Sequence, residues 1–100
     1  MTTNLLVRIS MKPEHEGGRH AAFTLGYCPH FVVDGTEAWL GVRASKCPAP
    51  VEPGDTAEVG FELIYPAVDY SAVRKGANVR VMEGARSVDA GVVLDRFEEE

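Results

Sequence analysis

"AEVGFELIY", residues 57–65, decides the fold class. Successive side chains of an extended chain point to opposite faces. Ala57, Val59, Phe61, Leu63 and Tyr65 therefore fall on one face, and Glu58, Gly60, Glu62 and Ile64 on the other. That is a half-buried strand with one wet face. Pro66 closes it, because proline has no N–H to give to a sheet ladder. On its N-terminal side "PVEPGDTA" (50–57) is a turn: Pro53 presets φ, Gly54 tolerates φ > 0, and Asp55 can bond its own backbone.

Working outward, the same pattern recurs. "NVRVME" (78–83) and "SVDAGVVLD" (87–95) flank the glycine-containing turn "EGAR" (83–86). "FVV" (31–33) and "AWLGVRA" (38–44) flank "DGTE", in which Asp34-Gly35 is a hairpin signal. "LLVRIS" (5–10) alternates Leu5, Val7 and Ile9 against Leu6, Arg8 and Ser10. No stretch sustains a helical period, and "VDYSAVRKGA" (68–77) has room for one turn before Gly76. About six short strands separated by turns imply a barrel or a sandwich. Closure removes exposed sheet edges, so the expectation is a closed six-stranded antiparallel β-barrel. A chain of 100 residues makes one such domain, 1–100, with frayed ends at 1–4 and 97–100.

Composition narrows the function. The chain is 45% hydrophobic and 25% charged, as in ordinary soluble domains. Acids outnumber bases 15 to 10, for a net charge of -5, which disfavours indiscriminate binding to phosphate backbones. "MTTNLLVRIS" lacks the features of a signal peptide, and no apolar run approaches a membrane span, so a cytoplasmic protein is expected. Cys28 and Cys47 are then free thiols rather than a disulfide framework.

The most chemical-looking run is "EGGRHAAFTLGYCPHF", residues 16–31. A zinc site would have to combine Cys28, His30, Cys47 and His20, but structural zinc sites usually come as two close ligand pairs. Ser45 and Ser71 have no glycine-framed nucleophile elbow. Cys28–His30 and Cys47–His20 dyads have no identifiable oxyanion loop, and Glu14 and Glu16 read as solvated charge. Neither catalysis nor a metal or organic cofactor is expected.

Taken together, "EGGRHAAFTLGYCPHF", "VEPGD", "ELIYP" and "VMEGARSVDAGVV" resemble the C-terminal barrel (domain III) of bacterial elongation factor Tu. That family reads EGGRH-x-PF, GYRPQF, M-x-PGD, L-x-x-P and REGGRTVGAGVV in the same order. The resemblance runs from about Val7 to Leu94. It implies a six-stranded antiparallel barrel, in agreement with the strand count. The phosphate-cradling G-x-x-x-x-G-K-[ST] of the factor's separate GTPase domain has no counterpart here.

The resemblance also implies roles. Gly17, Gly18, Arg19 and His20 would be domain-docking residues, and Glu83 and Gly84 match an acid–glycine pair that touches the tRNA T stem. A structural reading stands beside it: the glycines allow a tight bend, Arg19 pairs with an acid and His20 bonds a carbonyl. Departures from the family weaken an RNA surface. Cys28 and His30 replace an arginine and an amide, Trp39 replaces a small hydroxyl residue, and Met82 replaces an arginine. Exposed with Met82 and Leu40, Trp39 would suit a protein hot spot; Trp39 inside the barrel is the other reading. A stand-alone protein-binding module is therefore expected, its partner the GTPase domain of elongation factor Tu, that factor's exchange factor, or a toxin that targets it. The alternative is an accessory module facing tRNA or the ribosome.

Overall fold

The deciding stretch forms a strand, but a shorter one than its alternation suggests. The computed structural model describes residues 2–99. In chain order the elements are β1 (Thr2–Met11), a single 3-10 turn (Glu14–Glu16), β2 (His30–Val33), β3 (Leu40–Lys46), β4 (Thr56–Leu63), β5 (Asn78–Glu83) and β6 (Arg86–Glu99). The six strands close into a barrel in the order β1-β4-β3-β2-β5-β6, every neighbouring pair antiparallel. Closure leaves no long edge open, although β2 and β3 share only the pairs His30–Gly41 and Phe31–Leu40, with Pro29, Tyr27 and Gly26 bonding β3 beyond them.

Alternation decides what enters the barrel. Leu5, Val7 and Ile9 of β1, Phe31 and Val33 of β2, and Leu40, Val42 and Ala44 of β3 are buried in one core. Val59 and Phe61 of β4, Val79 and Val81 of β5, and Val88 and Val93 of β6 join them. Phe61 is the hub: Phe31 meets it edge-on with ring centroids 4.9 Å apart, and Phe23 lies 6.5 Å away. Breaks in register at Leu6/Val7, Ala44/Lys46 and Val81/Met82 bend the strands at the corners that closure requires.

Three expectations need correction. Tyr65, assigned to the buried face of β4, lies beyond the end of that strand and is 49% exposed. Its ring turns outward over Gly41, where a Cβ would stand 2.2 Å from it. Met82 is only 8% exposed and Leu40 is fully buried, so neither supplies open apolar surface. The ends are ordered as far as they are described: Thr2–Asn4 pair with Phe97–Glu99. Expectations for Met1 and Glu100 fall outside the described residues.

Candidate functional site

The residues singled out in the sequence divide between two places, one closing an end of the barrel and one on its outer wall. The long connection from Lys12 to Pro29 folds over the end where β1 stops and β6 starts. It begins with the 3-10 turn, which Gly17 terminates at φ 92°, a left-handed conformation that glycine adopts without steric cost. Gly18 is needed for a different reason. A Cβ there would lie 2.1 Å from the carbonyl oxygen of Lys12, so the loop can fold back this closely only without a side chain.

That fold-back aims Arg19 inward. Its guanidinium bonds Glu83 Oε2 at 2.9 Å and lies 4.4 Å from the centroid of the Tyr27 ring. The Tyr27 hydroxyl donates to the same Glu83 oxygen at 2.5 Å. Tyr27 in turn stacks on Phe23 with centroids 4.6 Å apart, which ties the polar group to the core. Burial, reinforced by the Glu83 carboxylate, pushes the Tyr27 phenol above its ordinary range, so it remains a donor at neutral pH. Arg19 and Glu83 are thus engaged with each other and with Tyr27. Gly84 turns the chain from β5 into β6 at φ 58°. His20, next to Arg19, faces out and places Nδ1 2.7 Å from Glu14 Oε1.

Asp89 belongs to the same end. Its register partners are Val81 and Met11, both core residues, so its carboxylate faces inward and is 1% exposed. Lys12 donates its backbone N–H to Oδ1 at 3.1 Å. Oδ2 has no hydrogen-bond partner among the described residues.

The outer wall carries the aromatic residues. His30 pairs with Met82 on one side and with Gly41 on the other, and its neighbour Phe31 points into the core. Trp39 immediately precedes inward-facing Leu40 and projects out; it is 46% exposed and meets the His30 ring edge-on at 5.8 Å. Gly41, next along β3, is roofed by the Tyr65 ring. Its carbonyl accepts the Tyr70 hydroxyl at 2.6 Å, while the Tyr65 N–H donates to that hydroxyl at 3.3 Å. Trp39, His30 and Tyr65 therefore share one surface over β2 and β3, with Met82 beside His30 in the register.

Contacts run from Arg19 through Glu83 to its chain neighbour Met82, then across the register to His30 and on to Trp39. Arg19 and Glu83 are on the closed end, His30 and Trp39 on the wall, and His20 stands apart with Glu14. Three important residues were not singled out in the sequence. Tyr27 lay within "GYCPHF" with nothing local to mark it. Tyr65 was placed on the wrong face. Asp89 had no usable signal: alternation along 87–95 groups Val88, Ala90, Val92 and Leu94 as the apolar face, and the register shift between Val81 and Met82 brings Asp89 inward beside buried Val88.

Cys28 is exposed and Cys47 buried. Among the described residues no three His, Cys, Asp or Glu side chains gather as a metal-holding group, and no helix is long and apolar enough to cross a membrane. No protein-family model matches the chain.

Proposed function

We propose that this barrel is a non-catalytic, protein-binding module of the elongation factor Tu C-terminal type, and that it docks through the wall carrying Trp39, His30 and Tyr65. The observation that carries this reading is the half-exposed Trp39 indole, held edge-on by His30 beside a second exposed aromatic ring. Rigid aromatic side chains desolvate at little entropic cost and dominate protein–protein hot spots. Arg19, Glu83 and the glycines of the loop serve this surface by holding the barrel end in shape, not by meeting the partner.

Charge favours a protein over RNA. The net charge is -5, and four of the ten basic side chains, Arg8, Arg19, Arg43 and Lys46, are each paired with a glutamate. A surface that tracks phosphates needs cations free to release counterions. The partner class is one tied to translation: the GTPase domain of elongation factor Tu, its exchange factor, or a toxin directed at the factor.

Calorimetric titration of the barrel with the purified GTPase domain and with the exchange factor tests the reading. Saturable binding to one of them, with no heat from GTP or GDP, is the expected result. Tight tRNA binding that weakens steeply with salt would replace this reading with that of an RNA-facing module. One-site nucleotide binding at about micromolar affinity would contradict both.

A further inference from the structure

The closed end of the barrel contains one more carboxylate than its hydrogen bonds require. Glu83 is satisfied by Arg19 and Tyr27. Asp89 is not: its Oδ1 holds the Lys12 amide, and Oδ2 is buried with no partner among the described residues. Desolvating an ionised carboxylate is costly unless every lone pair is answered. The element neighbours do not answer it. From β5 it meets the like charge of Glu83. From the loop, Arg19 is engaged by Glu83 and Tyr27 is a neutral phenol donating there as well. From the end of β1, the Lys12 ammonium is directed to the Ser87 carbonyl at 3.2 Å.

We propose that Asp89 is a proton switch for this end of the barrel: neutral Asp89 seats the Lys12–Tyr27 loop firmly, and ionised Asp89 loosens it. The coupling is geometric: ionisation strengthens the Lys12 N–H bond to Oδ1 but leaves a charged Oδ2 buried without a partner among the described residues, and water reaches it when the chain leaving β1 at Lys12 lifts. Gly18, packed against the carbonyl of that same residue, passes any shift of Lys12 on to Arg19.

The direction follows from linkage. Burial first, and then the Glu83 charge, raise the Asp89 carboxyl from 3.8 to about 6, against smaller lowering effects of the Lys12 amide, Arg19 and the Lys12 ammonium. A group whose pKa is raised on folding contributes stability that is fully present below its unfolded value and is lost as pH rises through the folded one. The Asp89 contribution is therefore complete only below the unfolded value of 3.8 and is lost as pH rises through about 6. The switch operates in mildly acidic conditions, where ordinary carboxylates are already ionised.

Two measurements on the full chain test this. Carboxyl-detected NMR titration of the wild-type protein should place the Asp89 midpoint well above the ordinary aspartate range, and Glu83→Gln should lower it by removing the like charge and freeing Arg19. Amide exchange, expressed as protection factors, should then be followed at Gly18, Phe23 and Tyr27, whose N–H groups bond Pro13, Val51 and Thr24. Their protection should fall about tenfold or more between pH 5 and 7.5 in the wild type and stay flat in Asp89→Asn. An Asp89 midpoint near 4 would overturn the proposal. So would loop protection that is flat in the wild type, or equally pH-dependent in Asp89→Asn. Should Asp89→Asn fail to fold, the wild-type titration and the Glu83→Gln shift still decide.

Discussion

The closed end and the outer wall use similar residues to opposite ends. At the closed end an arginine, a tyrosine and two acids turn inward and satisfy one another, with Asp89 the exception. On the wall a tryptophan, a histidine and a tyrosine turn outward and leave much of their ring surface to solvent. Each region also depends on a glycine that admits a close approach. Gly18 admits a carbonyl of the main chain, and Gly41 admits the Tyr65 ring. The difference teaches that a chemically rich loop can be structural while a plain strand leaves aromatic rings exposed, the surface proposed above for docking. Charge that is already paired offers little to a partner; an uncovered aromatic ring does.

Substitutions should separate the two regions by size of effect. Gly18→Ala drives a Cβ into backbone at 2.1 Å, which cannot swing aside, and should cost about 3 kcal/mol or more in urea unfolding. Arg19→Met leaves Glu83 half-buried with only Tyr27 as partner. Because the pair is partly exposed, about 1–2 kcal/mol is expected, below the cost of breaking a fully buried pair. Gly17→Val places a branched side chain at φ 92° in open space, so only backbone strain counts, about 1–2 kcal/mol. Gly41→Ala meets a side chain rather than backbone. Tyr65 swings off and stability falls by under about 1 kcal/mol, but the wall loses its shape and the partner's affinity drops. A Gly18→Ala protein as stable as wild type would dissolve the contrast between the two glycines.

The barrel was legible because most of each strand's core residues alternate with a period of two between the register breaks, and β4 alone carries enough of that period to name the fold class. Legibility ended where a strand ended. The apolar period of 57–65 runs two residues past β4, and nothing in "LIYP" says that the chain leaves the sheet before Tyr65. Trp39 was ambiguous for a related reason. It precedes β3, and only the inward series Leu40, Val42, Ala44 puts it outside. Met82 is a different case. It lies on the wall beside His30, yet its neighbours cover it, and burial by neighbours cannot be read from alternation. Arg19, Tyr27 and Glu83 are up to 64 positions apart in the chain, so their mutual satisfaction is a product of closure.

The division of labour between loop and wall is tested most directly by Trp39→Ala, taken through urea unfolding and partner titration on the same preparation. Trp39 is the sole tryptophan, so unfolding is followed by far-UV circular dichroism in both proteins. The unfolding free energy should stay within about 0.5 kcal/mol of wild type. Affinity for the GTPase domain or exchange factor, whichever binds, should fall by about 2 kcal/mol or more, roughly thirtyfold. Unchanged affinity, or a loss of stability as large as that of Arg19→Met, would contradict the assignment of the contact surface to the wall.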